Sequence, residues 1–118
     1  MLRGKRSTRV GEQILRFVAE LLMTKIRDPR LKGVTLTGIH LSNDLKNARV
    51  FFSVLGSKEE AKQALNGLES AKGFIKRELG SGLKLRNVPD LIFDHDMTLE
   101  TGNRIEQLFK RIQDDEKE

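Results

Sequence analysis

A chain of 118 residues with 22 Lys/Arg, 17 Asp/Glu and a net charge of +5 suits a single domain able to bury about two thirds of its unfolded surface in one core. It has no cysteine, which excludes disulfides, thiol nucleophiles and zinc–sulfur sites and fits a reducing cytosol. No apolar run reaches the length of about 18 residues that a membrane span needs. The charge is segregated: residues 1–33 hold nine Lys/Arg against three Asp/Glu, residues 34–89 nine against five, and residues 90–118 four against nine. A basic body with an acidic C-terminal end points to a polyanionic partner, most simply nucleic acid.

Met1 to Arg6 is polar and reads as a mobile arm. It leads into an amphipathic pattern, not the continuous apolar stretch of a secretory signal, so none is expected. Ser7 or Thr8 can cap a first helix whose apolar stripe is Val10, Ile14, Phe17, Val18, Leu21, Leu22 and Ile26. Pro29 disfavours helical geometry at Asp28, which predicts a stop near Arg27. Residues 34–41 (VTLTGIHL) read as a strand whose alternation slips at Gly38, as a bulge would make it do. Ser42-Asn43-Asp44 starts a turn. Ala48, Val50, Phe52 and Val54 alternate with Arg49, Phe51 and Ser53 to give a second strand with one buried face. The short polar connection predicts an antiparallel hairpin.

Ser57-Lys58-Glu59-Glu60 matches a capping box. The helix it opens carries Ala61, Ala64, Leu65 and Leu68 on one stripe, then Phe74, Ile75 and Leu79 on the next, with Ala71-Lys72-Gly73 between them. Glycine in a helix interior costs about 1 kcal/mol relative to alanine and is a common site of kinks. A kink there would bring backbone and the cations Lys72, Lys76 and Arg77 close to a phosphate chain; the other reading is a packing glycine under a solvated charged face. Gly80-Ser81-Gly82 closes this helix. Leu91 to Asp96 forms a third strand, and Leu99, Ile105, Leu108, Phe109 and Ile112 suggest a final helix. The organisation is a single α+β domain over residues 1–112 with a charged frayed tail at 113–118.

No catalytic constellation survives geometry. On a strand, Asp94 and Asp96 face one way and His95 the other, with Leu91 and Phe93, so the three cannot share a metal ion without a bend. His40 has no serine–acid partners and reads as structural. Phosphate-loop and dinucleotide fingerprints are absent. No catalytic residue, metal or cofactor is therefore expected. Tyr and Trp are missing and the six phenylalanines fall mostly on core stripes, so base stacking on an aromatic platform is not the evident mode. Phe51, turned away from Phe52, is the exception: it could touch RNA, be covered by the C-terminal segment or stay exposed.

Recognition of the nucleic-acid backbone by Lys/Arg is the better expectation. Arg3, Lys5, Arg6 and Arg9 form the densest cluster and, on a mobile arm, could reach phosphates. Lys72 and Lys76 stand four apart, where like charges cost about 0.2–0.5 kcal/mol, and Glu69 can offset Lys72. Lys84 and Arg86 could extend the patch. Lys25, Arg27, Arg30 and Lys32 surround the end of the first helix, where cations answer the helix dipole, and are assigned to stability.

The helix–strand–strand–helix–helix–strand order resembles a type II KH domain, a fold that usually binds single-stranded nucleic acid through a Gly-x-x-Gly loop. No two glycines here lie three apart. Ala71-Lys72-Gly73 instead resembles the Ala-x-Gly kink of the ribosome-binding factor A family. Further matches are Arg9-Val10, Asp28-Pro29-Arg30-Leu31, Ser42-x-Asp44-Leu45-x-x-Ala48-x-Val50, Gly73-Phe74-Ile75, Arg86-x-x-Pro89-x-Leu91-x-Phe93 and Asp96, spanning Arg9 to Glu106.

The resemblance implies a cytoplasmic, non-catalytic factor, monomeric off the ribosome. Such a factor binds the small (30S) ribosomal subunit and its 16S rRNA late in assembly, assists rRNA processing, takes part in cold adaptation and leaves with the help of a ribosome-associated GTPase. RNA contact is expected at Arg3, Lys5, Arg6, Arg9, Lys72, Gly73, Lys76, Arg77, Lys84 and Arg86. Without the Gly-x-x-Gly loop, a folded RNA surface is the expected target. The alternatives are a generic nucleic-acid-binding KH-like module, including a DNA binder, and a protein-only adaptor working through Phe51 and the sheet.

Overall fold

The first helix begins well ahead of its expected cap. In the computed structural model, which describes residues 3–96 (side chains from Arg6 onward), helix α1 spans Arg3–Thr24. Arg3, Lys5 and Arg6 thus fall in the opening turn of α1, in place of an irregular arm. Ser7 is no cap: it lies inside the helix and is buried. The helix also ends three residues before Arg27. Lys25 and Ile26 both donate their N–H to the Leu21 carbonyl, at 2.9 and 3.0 Å, and the chain reaches Asp28 extended (φ −112°, ψ 120°), as the following proline demands. Asp28 then caps a single 3-10 turn, Pro29–Leu31, by accepting from the Arg30 N–H at 2.9 Å.

Strands β1 (Val34–Leu41) and β2 (Asn47–Val54) pair antiparallel. The register shifts between Leu36 and Gly38, where the alternation slips. That bulge has a consequence for packing. It keeps Leu36, Ile39 and Leu41 on the same face as Phe52, Val50 and Ala48; strict alternation from Leu36 would have turned Ile39 and Leu41 outward.

The hairpin turn is built by the Ser42-x-Asp44 pair. The Ser42 hydroxyl donates to Asp44 Oδ1 at 2.6 Å and accepts from the Asn47 N–H at 3.0 Å, while Asp44 Oδ1 also accepts from the Lys46 N–H at 3.0 Å. These bonds hold Leu45 at φ +63°, a left-handed conformation unusual for a leucine. They also hold the Asp44 carboxyl below its usual value of 3.8, the Ser42 hydroxyl first and the Lys46 amide second. A carboxylate with a depressed folded-state pKa stabilises the fold above its unfolded value and loses that contribution as pH falls through the folded one. Thermal melting should therefore decline below about pH 4, and Asp44→Ala should lose part of that acid-side decline while melting lower at neutral pH.

Helix α2 spans Lys58–Gly82, with the Ser57 hydroxyl accepting from the Glu60 N–H at 3.3 Å as the capping box predicts. It runs unbroken through Ala71-Lys72-Gly73, so the expected helix–helix pair is one helix. Ala64, Leu68, Ile75 and Leu79 are all fully buried on one continuous stripe, and that burial outweighs the cost of about 1 kcal/mol for one glycine. Strand β3 (Asp90–His95) lies parallel to β2 and completes the sheet in the order β1-β2-β3. The core joins Ile14, Val18 and Leu21 of α1 and the stripe of α2 to Val50, Phe52, Leu91 and Phe93 of the sheet. The described residues form an α+β fold with a three-stranded sheet and two α-helices. The final helix and the tail expected over residues 97–118 lie outside the described residues.

Candidate nucleic-acid interface

The helical repeat puts Glu69, Lys72, Gly73, Lys76 and Arg77 on one flank of α2. Gly73 is exposed, and a Cβ built on it meets nothing within 4 Å among the described residues, so none of them requires a packing glycine there. The packing glycine is Gly67, one turn and a half earlier: its added Cβ would lie 2.9 Å from Leu31 Cδ2 and 3.3 Å from Arg30 Cβ. Gly67 lets the 3-10 turn press onto α2, and only the position of that turn reveals it. Because nothing crowds Gly73, Gly73→Ala should raise stability by about 1 kcal/mol in urea unfolding.

The two lysines of this flank are engaged within the protein. Lys72 Nζ lies 2.8 Å from Glu69 and 5.9 Å from the centre of the Phe93 ring. Lys76 Nζ lies 2.9 Å from Asp90. The hydrogen bond from Lys76 and then its charge, with Lys72 adding a smaller effect, hold the Asp90 carboxyl below its usual value. Both lysine side chains remain about one third exposed, and exposed pairs of this kind stabilise little and exchange partners readily. Glu69 and Asp90 nonetheless offset two of the three cations on this flank.

Other expected contacts carry no such offset. Arg6, Arg9, Arg77, Lys84 and Arg86 are all at least partly exposed, and among the described residues none of them has a carboxylate within ion-pair distance. Arg3 and Lys5 fall with Arg6 in the opening turn of α1, which contains no acidic residue, so the positive end of the helix dipole adds to their charge. Lys84 sits just past α2 at φ +52°. Arg16 escaped the sequence reading. It lies on the α1 stripe of Arg6, Arg9 and Gln13, of which the expected cap at Ser7 or Thr8 left only Arg6 outside the helix.

The cations around the end of α1 divide differently from expectation, since α1 has no basic residue in its last turn. Lys25 pairs with Glu78 of α2 at 3.1 Å, and Arg30 pairs with Asp28 through its Nη2 at 2.7 Å. The residues of the 94–96 segment diverge as alternation predicts. Asp94 accepts from Arg49 at 2.6 Å, Asp96 Oδ2 accepts from Thr37 at 3.0 Å, and the His95 ring packs 5.3 Å from Phe52 on the core side. Among the described residues no cluster of His, Asp or Glu is disposed to hold a metal ion, and no helix is long and apolar enough to cross a membrane. Phe51 is half-buried on the outer face of the sheet, opposite Gly38 and Asp94.

Residues 6–109 match the family model described as ribosome-binding factor A. A ribosome-binding factor A from Citrifermentans bemidjiense is 45% identical over 108 residues, covering 92% of this chain and 91% of the relative. One from Geobacter metallireducens is 45% identical over 112 residues, 95% of both chains. The crystal structure of ribosome-binding factor A from Thermus thermophilus superposes with a TM-score of 0.68 at 26% identity, covering 75% of this chain and 93% of that one. A homology model of the T. thermophilus protein, fitted into a cryo-EM map of its complex with the 30S subunit, gives 0.64 at 25% identity over 77% and 96% of the two chains.

Proposed function

The chain belongs to the ribosome-binding factor A family, and from that premise we propose that it is a non-catalytic assembly factor that binds the small ribosomal subunit and its 16S rRNA during late maturation. The observation that carries the reading is the exposed flank of α2. Bare backbone at Gly73 stands among Lys72, Lys76 and Arg77, and no described residue requires a glycine there. Lys72 and Lys76 exchange Glu69 and Asp90 for RNA phosphates, Arg77 and Arg86 extend the contact, and Gly73 admits the sugar–phosphate chain close to the helix. Arg3, Lys5, Arg6 and Arg9 meet an adjacent strand from the positive end of α1. The fold is a variant of the type II KH domain, a reading supported by the α-β-β-α-β order with β3 parallel to β2. Its paired helices are fused into α2, with Gly73 at the join in place of the Gly-x-x-Gly loop.

The factor acts by differential affinity. Binding an immature RNA arrangement more tightly than the mature one shifts the folding equilibrium, whereas equal affinity would shift nothing. It works in the cytoplasm as a monomer, matters most in the cold, where misfolded RNA escapes slowly, and leaves with the help of a ribosome-associated GTPase. In a bacterial strain lacking its own family member, this chain should restore cold growth and clear precursor 16S rRNA, and Gly73→Ala should do so poorly despite its greater stability. Failure of the folded, expressed wild-type chain to lower the precursor would refute the processing role.

A further inference from the structure

We propose that Arg16 of α1 and Lys84 beyond α2 hold an RNA phosphodiester chain from opposite walls of a cleft that is separate from the Lys72–Arg77 flank. The cleft is open, has a volume of about 400 Å³, and lies between α1 (Gln13, Arg16, Phe17, Glu20) and the end of α2 (Gly82, Leu83, Lys84). Its floor is fixed by the fit of Gly82 against Phe17: a Cβ at position 82 would collide with the end of that ring. The two walls are therefore held together by a contact that only glycine permits.

Three observations favour a polyanion as the occupant. Arg16 and Lys84 are at least partly exposed and, among the described residues, have no carboxylate within ion-pair distance, whereas Lys25, Arg49, Lys72 and Lys76 are each salt-bridged. Arg6 and Arg9 continue the Arg16 stripe toward the start of α1, so the cations form a row of the kind that tracks a phosphate chain and not a single anion. Lys84 keeps a left-handed backbone (φ +52°) that glycine or asparagine would adopt more easily. A strained position occupied by a residue of poor conformational fit points to a use for its side chain. Glu20, one turn beyond Arg16 on α1, also lines the cleft.

The proposal takes RNA as the ligand from the assembly-factor reading, so the test uses two probes: a short stem–loop RNA and free small subunits. The variant Arg16→Gln/Lys84→Gln should bind the stem–loop about tenfold or more weakly, with a log–log salt slope lower by about 0.7–0.9 per lost contact. Lys84→Gly should melt higher than the wild type yet bind more weakly, a combination that a structural role for Lys84 does not produce. A folded double variant with wild-type affinity and slope overturns the cleft, as does a loss of affinity with the slope unchanged. Wild-type protein that binds the stem–loop through the cleft but ignores small subunits would sink the assembly-factor reading and leave the cleft standing. Subunit binding that falls with Lys72 and Lys76 but ignores Arg16 and Lys84 would do the reverse.

Discussion

Reversing the charge of Lys72 and Lys76 together is expected to weaken binding to free small subunits by about a hundredfold, taking each lost charge-assisted contact as about 1.5 kcal/mol. The variant should also show a log–log salt slope lower by about 0.7–0.9 per contact. The structure strengthens the expectation beyond simple loss of contact. Glutamates at 72 and 76 would stand beside Glu69 and Asp90, the present partners of the two lysines, and turn a mildly positive flank into four adjacent carboxylates. Folding should suffer little, since both lysine side chains are partly exposed and their pairs are of the weak surface kind. Sedimentation binding across a salt series reads both quantities, and an unchanged slope would move the interface off this flank of α2.

Phe52→Ala should cost about 3–5 kcal/mol, a large share of the roughly 5–15 kcal/mol that holds a domain of this size together. It should lower the melting temperature by on the order of 20 °C. Phe52 is completely buried at the centre of β2 and supports the His95 ring 5.3 Å away. Its neighbour Phe51 points to the other face and is only half-buried, so Phe51→Ala should cost well under half as much. Urea midpoints of the two variants measure the difference. Equal losses would contradict the register that places β2 with a single core face.

Strand β2 and the flank of α2 were legible in the sequence to different degrees. The strands could be read nearly residue by residue, because a two-residue period with β-branched and aromatic members has few rivals. The slip at Gly38 marked the bulge, and Ser57 announced the start of α2 through its own hydroxyl. Helix ends were harder. Ser7 is a good cap by type, but α1 begins four residues ahead of it, a start that neither Gly4 nor cations at the positive end of the helix dipole favour by type. Thr24 ends α1 early, with the Lys25 and Ile26 amides both donating to the Leu21 carbonyl; Pro29 by itself requires only that Asp28 be extended. The break expected at Gly73 yielded to burial of the stripe on both sides.

For the candidate site, sequence supplied the cations but not their partners. Which lysines are paired depends on where β3 begins relative to α2, since Asp90 reaches Lys76 only through that packing. The role of Gly67 likewise depends on where the Pro29–Leu31 turn comes to rest. Arg16 shows the converse. Its stripe was present in the sequence, but the cleft that gives it meaning exists only once α1 and the end of α2 are brought together around Phe17 and Gly82.

Co-sedimentation of the purified chain with free small subunits and with intact ribosomes, at low and at raised salt, tests the central claim most directly. The account predicts selective binding to free small subunits that weakens steeply as salt rises. Folded protein that stays in the supernatant with both particles, or binds intact ribosomes equally well with no dependence on salt, would contradict it.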